Sequence, residues 1–383
     1  MSSSTAITRI SLPSHVRGGF VKLADFKVEQ VSPPSKDQLT DNQVLLRPIY
    51  YSIDPYQRGR IAGVKGSFIE SYAEGTAITN ILVATVVASA SADYQEGDLV
   101  IDNDGKWETE YITEARAISK APTQYSAEPR DHVGVLGMAA FSAYVGATVL
   151  AKPKAGETIL VSSASGGVGQ MVVQLAKARG LRVVGVAGSD DKVEYVKSIG
   201  ADVAFNYKTC GNYAEAIRTA APEGIDIWFD NVGGEFLDAA LAHINTHARI
   251  IICGAITQYN LSSPDERYGV KCLTSRGNAS WIRWSPAGDV LEIANTLGEF
   301  SELRQALAGY RFSQGSASSV KKNFAEYQFD KLDDGRQRAS DENGVVWIRW
   351  SHPSFHKGNP ELIGTMRRKP SKRKTEPKGS NGN

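Results

Sequence analysis

The sequence predicts an α/β protein in which a domain of short β-strands precedes a doubly wound parallel sheet. Three observations predict this fold class. The first third of the chain alternates short apolar runs with turn residues, the stretch from about Val135 alternates apolar strands with helical patterns, and a glycine-rich turn joins one such strand to its helix. The 383 residues also exceed what one compact core usually holds, which indicates at least two domains.

The first third of the chain is typical of a β-rich domain. Its apolar runs, such as "NQVLLRPIYYSID" and "AITNILVATVVASASADYQEGDLVI", are short. Turn signals punctuate them at Pro33, Pro34, Pro55 and the pair Gly97-Asp98. Because proline and glycine interrupt regular structure at such spacing, short strands joined by turns are expected here.

From about Val135 the pattern alternates between strand and helix. "ETILVSSA" predicts a buried strand, and "GQMVVQLAKARG" predicts a helix that Gly180 ends. "LRVVGVAGS" and "DDKVEYVKSIG" predict a second strand and helix, with Asp190 placed to cap that helix. "ADVAFNY", "GIDIWFDNVGG" and "ARIIICG" predict three more strands, separated by the helical patterns "YAEAIRTAA" and "EFLDAALAHI". This alternation predicts a doubly wound parallel sheet.

The turn "SSASGGVGQ", residues 162–170, is predicted to bind the phosphates of a dinucleotide. It follows a strand and opens a helix, as the G-x-G-x-x-G fingerprint does, but Ala164 replaces the first glycine, so a more open turn is expected there. Gly166 would let the backbone approach a pyrophosphate, and Gly169 would let the helix pack on the strand. The helix N-terminus would add N–H groups and a partial positive charge. The alternative is a purely structural glycine turn.

The end of the second predicted strand favours NADP over NAD. Enzymes that use NAD place an acidic residue there to hold the ribose 2′-hydroxyl. Here the strand ends in Gly188-Ser189 without an acid at its tip, and Lys192 follows shortly after. A small hydroxyl-bearing turn near an ammonium group suits a 2′-phosphate. The alternative is a capping Asp190 beside a solvated Lys192.

Composition argues against several classes of function. The 43 basic and 42 acidic residues give a net charge of +1, so nucleic acid is not expected as a partner. Cys210, Cys253 and Cys272 are too widely spaced for a disulfide framework or a zinc knuckle, which indicates a reducing compartment. The first residues, "MSSSTAITRI", carry no apolar targeting pattern, and no apolar run reaches the roughly 20 residues that span a bilayer. A cytoplasmic protein without a membrane partner is expected.

The histidines and cysteines do not predict a metal site. No cysteine precedes Cys210, and His15 and His132 are isolated from each other in the first domain. His243 and His247 have the i, i+4 spacing of a helical pair, but no third ligand is near them in the sequence. Because zinc sites in dehydrogenases need three or four such ligands, metal-assisted alcohol oxidation is not expected.

An ordered series of motifs carries a resemblance to a known family. The blocks are "SIDPYQRGR", "GVLGMAAFSAY", "KPKAGETILVSSASGGVGQ", "VVGVAGSDDK", "FNYK", "DNVGG" and "CGAITQYN". With them the chain resembles, over residues 12–271, the zinc-independent medium-chain reductases of the prostaglandin reductase, leukotriene hydroxydehydrogenase and alkenal double-bond reductase group. The resemblance implies a GroES-like β-barrel domain followed by a Rossmann domain, and a homodimer is possible on the same grounds.

The resemblance also implies roles for residues of this chain. The residues that would bind NADPH fall into four groups, which lie at the pyrophosphate (Ser165, Gly166, Gly167, Val168 and Gly169), at the adenosine 2′-phosphate (Ser189, Lys192 and Tyr207), at the ribose (Asn231), and beside the nicotinamide (Cys253 to Ile256, with Met138 and Ser142 lining its pocket). Tyr259 matches the family tyrosine beside the substrate carbonyl.

The implied reaction is reduction of the C=C bond of an α,β-unsaturated aldehyde or ketone by NADPH. Hydride at the β-carbon places negative charge on the carbonyl oxygen, and a hydroxyl donor such as Tyr259 would stabilise that enolate. Taken without the resemblance, Tyr259 is an ordinary loop tyrosine. Two alternatives stay open, which are a tailoring reductase of a secondary-metabolite, polyketide-like pathway and an NADPH-binding protein with impaired catalysis.

The resemblance ends near Cys272 and divides the chain into four parts. They are a substrate domain at 1–134, an NADP-binding domain at 135–271, an unassigned segment at 272–356 and a basic tail at 357–383 that is expected to be disordered and solvated. The alternatives for the basic tail are a nuclear localisation signal and a weak nucleic-acid contact. The pentapeptide "WIRWS" occurs at 281–285 and again at 347–351. It is consistent with a surface motif, a short duplication, or a shifted reading frame or retained intron.

Overall fold

The computed structural model describes residues 6–64, 70–122, 127–263, 266–270, 280–284, 290–293, 311–312, 337–340 and 346–349. The strands in these ranges are β1 (Ile7–Ser11), β2 (Lys27–Val31), β3 (Gln43–Tyr51), β4 (Thr79–Ser89), β5 (Leu99–Lys106), β6 (Tyr111–Glu114), β7 (Ile118–Lys120), β8 (Thr158–Val161), β9 (Arg182–Ala187), β10 (Val203–Asn206), β11 (Ile225–Asp230), β12 (Ile244–Ile252), β13 (Gly269–Val270), β14 (Ser280–Trp284), β15 (Val290–Ile293), β16 (Arg311–Phe312), β17 (Gln337–Ser340) and β18 (Val346–Arg349).

The helices are fewer than the strands in the described ranges. They are α1 (Gln57–Ala62), α2 (Met138–Tyr144), α3 (Gly167–Ala178), α4 (Asp190–Ser198), α5 (Tyr213–Ala220) and α6 (Gly234–Leu241), with a π-helical stretch at Val145–Leu150 and 3₁₀ turns at Leu23–Asp25, Lys36–Gln38, Ala115–Ala117, Pro129–Val133 and Ile256–Gln258. None of these helices is long and apolar enough to cross a membrane.

The first domain is built on an antiparallel sheet with the strand order β6-β3-β4-β5-β7. Leu46 of β3, Leu82 of β4 and Val100 of β5 are buried together on one face. The pairing of β3 with β4 shifts register between Pro48 and Tyr50, where proline has no N–H to donate. This half-barrel sheet, with β1 paired to β2 beside it, confirms the predicted β-rich domain.

The second domain is a seven-stranded sheet with the order β10-β9-β8-β11-β12-β14-β15. Strands β8 to β12 and β14 run parallel, and β15 returns antiparallel to β14. The five strands and four helices predicted between residues 157 and 253 are all present. Gly180 follows α3 with a positive φ of 76°, as a glycine that ends a helix does. The α/β fold class with a Rossmann-type sheet is therefore confirmed.

The core lies on both faces of this parallel sheet. In β11, Trp228 packs into the cluster with α5 and α6, whereas Ile227 and Phe229 pack into the cluster with α3 and α4. All three side chains are fully buried. A strand covered by helices on both faces needs apolar residues in sequence rather than in alternation, which explains the run "IDIWF".

Part of the chain beyond the family resemblance also forms strands. The first Trp-Ile-Arg-Trp lies in β14, which pairs antiparallel with β15, and Trp347 to Arg349 of the second copy lie in β18, which pairs antiparallel with β17. The backbone of β14 also pairs in parallel with β12, so this strand extends the Rossmann sheet. Apart from β14 to β18, the predicted segment 272–356 and the basic tail 357–383 lie outside the described residues.

One local prediction is wrong. Asp190 is the first residue inside α4 and Ser189 occupies the N-cap position, so Asp190 does not cap the helix. His243 and His247 have the spacing of a helical pair but do not share a helix, because His243 follows α6 and His247 lies within β12 with a positive φ of 65°.

Candidate active site

The glycine-rich turn lies at the carboxyl end of β8 and opens α3. A Cβ on Gly169 would run into the carbonyl oxygen of Ser163, and a Cβ on Gly166 would lie 3.0 Å from the Ser163 hydroxyl. Ser163 itself adopts a left-handed φ of 50°. No side chain caps α3. The first N–H groups of the helix, from Gly167 and Val168 onward, therefore fit the phosphate groups of a dinucleotide.

Ala164, the departure from the fingerprint, is accommodated by the neighbouring strand. Its methyl group is fully buried, and its N–H donates to the carbonyl of Val186 at 2.9 Å. A Cβ built on Gly185 of β9 would lie 3.2 Å from the Ala164 methyl. Since Gly185 has no side chain, the methyl packs into the core and does not face the cofactor side of the turn.

A buried carboxylate joins the strand ends beneath this turn. Asp230, the last residue of β11, is fully buried. Its carboxylate accepts the Ser162 hydroxyl at 3.2 Å and two N–H groups of the following turn at 2.9 and 3.0 Å. Its backbone carbonyl accepts the N–H groups of Cys253 at 2.8 Å and Gly254 at 3.0 Å. The carboxyl ends of β8, β11 and β12 thus meet at one residue.

Asn231, the predicted ribose contact, takes part in the same hydrogen-bond network. Its side-chain amide donates to the carbonyl of Ser162 at 2.8 Å, and its backbone N–H donates to the Ser162 hydroxyl at 2.8 Å. One N–H of the side-chain amide is therefore used by the fold. A contact of Asn231 with the ribose stays a prediction.

Burial changes the acidity of two groups at this edge. Burial raises the pKa of Asp230 to about 6, although the two backbone N–H groups and the Ser162 hydroxyl partly counteract the shift. Burial of its thiol, and then the Asp230 carboxylate, raises the pKa of Cys253 to about 12. Cys253 is therefore a neutral thiol in the neutral pH range, which suits an apolar wall more than a nucleophile.

The adenosine end gathers the residues predicted to hold a 2′-phosphate. Ser189 lies at the N-cap of α4, and the Tyr207 ring lies beside Gly188, where a Cβ would be 2.9 Å from a ring carbon. Lys192 is exposed in the first turn of α4. Among the ion pairs of the described residues, none involves Lys192. Their contacts with a cofactor remain predictions.

Asp190 makes a contact that the sequence did not indicate. The side-chain amide of Asn206, at the end of β10, donates to the Asp190 carboxylate at 2.9 Å. This contact joins the start of α4 to the end of β10.

The start of α2 lies against the phosphate loop. A Cβ on Gly167 would be 3.4 Å from the methyl of Ala139, so α2 and α3 begin side by side. Met138 is half-buried at the first position of α2, and Ser142 is buried one turn later. The structure brings both residues to the cofactor side of the fold. Their predicted place in the nicotinamide pocket is not tested by it.

Tyr259 lies just beyond β12, after the 3₁₀ turn that contains the exposed Ile256. The Tyr259 hydroxyl oxygen accepts the N–H of Ala255 at 3.2 Å. A Cβ on Gly254 would be 3.2 Å from the same oxygen and 3.2 Å from the carbonyl of Asn231. The phenol therefore rests on backbone at the carboxyl edge of the sheet, where parallel α/β folds bind their ligands.

Within the described ranges, no three His, Cys, Asp or Glu side chains come close enough together to hold a metal ion. His15 instead contacts the carbonyl of Tyr72 at 2.8 Å and the Glu74 carboxylate at 3.2 Å. His132 is buried in the 3₁₀ turn that precedes α2.

Three protein-family models match successive parts of the chain. A model described as the N-terminal domain of oxidoreductase matches residues 8–121, and one described as zinc-binding dehydrogenase matches residues 167–280. A third model, described as HSF-type DNA-binding, matches residues 270–369. The last match runs against the expectation that nucleic acid is not a partner.

Individual proteins are similar to the first two thirds of the chain. The NADP(+)-dependent 2-alkenal reductase of Nicotiana tabacum is 39% identical over 282 residues, which cover 72% of this chain and 80% of that enzyme. Prostaglandin reductase 1 of Mus musculus is 40% identical over 64% of this chain and 72% of its own length. The crystal structure of CurA from Vibrio vulnificus in complex with NADPH is 33% identical, with a TM-score of 0.61, over 67% of this chain and 74% of CurA.

The position of Lys192 predicts a charge-dependent preference for the phosphorylated cofactor. We expect Lys192→Ala to raise the Kd for NADPH about tenfold and to leave the Kd for NADH unchanged, because about 1.4 kcal/mol of attraction to the 2′-phosphate is lost. Fluorescence titration measures both constants. Lys197→Ala is the matched control, since Lys197 is on the same helix and pairs with Glu194 at 2.8 Å. An equal loss for both cofactors would contradict the assignment.

The raised pKa of Asp230 predicts a specific pH dependence of stability. The folded state favours the protonated acid, so its contribution is complete below the unfolded pKa near 4 and is lost as pH rises through about 6. Relative to Asp230→Asn, the free energy of unfolding of the native chain should fall by up to about 3 kcal/mol over that interval. Urea unfolding at pH 4 to 7 measures the difference. A difference that stays constant with pH would refute the shift.

Proposed function

Because the chain belongs to the medium-chain dehydrogenase/reductase family, in the group of NADP-dependent alkenal and prostaglandin reductases, we propose that it reduces the C=C bond of α,β-unsaturated aldehydes or ketones without a metal ion. It is an NADP-dependent oxidoreductase. The observation that carries the proposed substrate class is the Tyr259 phenol, held by backbone at the ligand-binding edge of the sheet.

Bound NADPH supplies a hydride from its nicotinamide ring. We propose that residues of this chain place that ring as follows. The uncapped start of α3 would hold the pyrophosphate, with Ser165 beside it, and Lys192 and Tyr207 would hold the adenosine phosphate. Met138, Ser142 and Cys253 would form the wall behind the reactive ring, where a neutral thiol and a methionine exclude water.

Tyr259 would act on the carbonyl oxygen of the substrate. As the β-carbon gains hydride, the C=C electrons move to the α-carbon and oxygen, and the oxygen becomes an enolate. A phenol that accepts an N–H from Ala255 has its oxygen fixed and donates its own proton toward the enolate. The carbonyl re-forms when the α-carbon takes a proton from solvent or from Tyr259. Two hydrogens are added across the double bond, and NADP⁺ is released.

Two physiological roles fit this substrate class. The same chemistry serves detoxification of reactive enals or tailoring of a polyketide-like intermediate. Among the relatives, the tobacco enzyme is named for alkenals and the mouse enzyme for prostaglandins. A panel that includes short enals, cyclic enones and long acyl enones separates the two by the ratio of kcat/KM values.

Replacement of Tyr259 tests the proposed chemistry. We expect Tyr259→Phe to lower kcat for enones about 100-fold with little change in the Kd for NADPH, because the donor to the enolate is lost while the ring remains. NADPH oxidation at 340 nm and a fluorescence titration measure the two quantities.

Two outcomes would contradict the proposal. Unchanged turnover in Tyr259→Phe would refute the role of the hydroxyl. No NADPH oxidation by the native chain with any enal or enone, together with tight NADPH binding, would favour a cofactor-binding protein without catalysis. The second outcome has a basis in the alignments, because 20% of the tobacco enzyme and 28% of the mouse enzyme lie outside the residues aligned with this chain.

We propose DNA binding as a second function, carried by the C-terminal segment. The supporting observation is the match of residues 270–369 to an HSF-type DNA-binding model. A shifted reading frame would not be expected to match a protein family over so many residues, so this match favours a genuine coding segment. The end of the match is basic, at Arg367, Arg368 and Lys369, and the sequence continues into "PSKRK". We place the change of family between residues 270 and 280, where two models overlap.

Titration of the full chain with DNA tests this second function. We expect binding of random-sequence duplexes that weakens with salt, with a slope of about −0.9 for each phosphate contact in a plot of log affinity against log salt. Fluorescence anisotropy measures it. Replacement of Arg367, Arg368 and Lys369 by alanine should reduce that slope, whereas replacement of the exposed Lys36, Lys154 and Lys197 should not. Absence of binding at 50 mM salt would overturn the proposal.

A further inference from the structure

Arg58, in the first turn of α1, is a buried cation held by neutral oxygens. It is 9% exposed. Its Nε donates to the side-chain oxygen of Asn260 at 2.8 Å, and its two terminal nitrogens donate to the carbonyls of Val16 and Gly19, each at 2.9 Å. Burial lowers the pKa of Arg58, and the charge of Asp25 partly offsets the shift. The guanidinium thus contacts two separate segments of the chain, the loop that contains Val16 and Gly19 and the loop that contains Asn260.

The fork of Arg58 joins the first domain to the loop that carries Tyr259. Val16 and Gly19 belong to the loop after β1, and Asn260 is 202 residues along the chain from Arg58. Burial of a cation without a carboxylate partner opposes folding unless its donors are satisfied. Arginine satisfies three acceptors in fixed directions, which lysine cannot do. The Arg58 contacts therefore fix the relative positions of the two segments more than they stabilise the folded state.

Close backbone packing supports the same contact. A Cβ on Gly18 would lie 3.0 Å from the Cα of Ser262 and 3.2 Å from the carbonyl oxygen of Leu261. The loop between Val16 and Gly19 therefore rests directly on the residues that follow Tyr259. A side chain at position 18 would push the two segments apart.

The other end of the Tyr259 loop is fixed to the Rossmann sheet. The Thr257 hydroxyl donates to the carbonyl of Val232 at 2.7 Å, and the N–H of Ile256 donates to the carbonyl of Asn231 at 3.3 Å. Tyr259 thus lies between an attachment to the turn after β11 and an attachment to Arg58. The separation of the two domains would set the position of the phenol.

We propose that Arg58 is a positioning residue, which places the Tyr259 hydroxyl over the substrate by holding Asn260 to the first domain. This inference rests on the proposed function of Tyr259. Arg58 touches neither substrate nor cofactor in this account. It transmits the orientation of the first domain to the phenol, and its effect on turnover passes through Tyr259.

A double-mutant cycle tests that dependence. We expect Arg58→Met to lower kcat for enones about tenfold while the Kd for NADPH changes less than twofold. In a Tyr259→Phe background the same change should cost less than twofold, because the group that Arg58 positions is already absent. Asn260→Leu should reproduce Arg58→Met, and Asn260→Asp, which keeps an acceptor oxygen, should retain native turnover.

Arg60 provides a matched control on the same helix. Its side chain makes a comparable set of contacts with Glu70, Thr79 and Asp104, all within the first domain. Arg60→Met should therefore cost stability without a selective loss of kcat. If Arg60→Met and Arg58→Met lower kcat equally, or if the losses from Arg58→Met and Tyr259→Phe simply multiply, the positioning role is refuted. Unchanged turnover in Tyr259→Phe alone would instead refute the proposed function.

Hydrogen exchange supplies a readout that does not need turnover. The N–H of Ala255 donates to the Tyr259 hydroxyl, so its protection reports the placement of the phenol. In the NADPH-free chain, Arg58→Met should raise exchange in the peptide that spans residues 254–262 at least fivefold, and Arg60→Met should leave it unchanged. Equal protection in the native chain and Arg58→Met would overturn the proposal even for a chain that reduces no enone.

Discussion

The buried carboxylate of Asp230 is the interaction on which the active-site edge depends. The carboxylate joins the end of β8, through the Ser162 hydroxyl, to the turn after β11, and the backbone carbonyl of the same residue joins the end of β12 through the N–H of Cys253. The phosphate loop, the ribose-side asparagine and the loop of Tyr259 all begin at these three strand ends. A charged group without a cation costs free energy to bury, as its raised pKa shows. Its hydrogen bonds to one hydroxyl and several N–H groups offset that cost and fix the edge in one arrangement.

Residues near one another in the chain made most of the fold predictable. Apolar runs in β8, β9, β11 and β12 are buried on both faces, so strand identity follows directly from the sequence. Contacts between distant residues were not predictable in the same way. No pattern around Arg58 indicates that it reaches Asn260. Asp190 has the sequence position of a helix cap, and the sequence does not indicate that its partner is Asn206 at the end of β10. The spacing of apolar residues along the chain predicts which side chains are buried. The partner of a polar side chain depends on which distant segments the fold brings together.

The phosphate loop shows how a departure from a motif is compensated elsewhere. Ala164 removes a glycine from the fingerprint, and Gly185 supplies the missing space from the next strand. The space that Gly185 leaves in β9 is filled by the Ala164 methyl, which is fully buried in the core. Gly169 has no such partner, because a Cβ there would strike the backbone of the turn itself. One glycine of the motif is exchangeable and the other is not.

The dehydrogenase match and the DNA-binding match adjoin each other in the sequence without a linker between them. The dehydrogenase match ends at residue 280 and the DNA-binding match begins at residue 270, so the overlap leaves no residues for a linker. Strand β14 begins at Ser280 and pairs with β12, the strand that leads into the Tyr259 loop. A truncation that removed the C-terminal segment from residue 270 would therefore also remove a strand of the cofactor-binding sheet. Loss of reductase activity in such a truncation would report damage to that sheet, and for this reason point substitutions in the full chain separate the two functions.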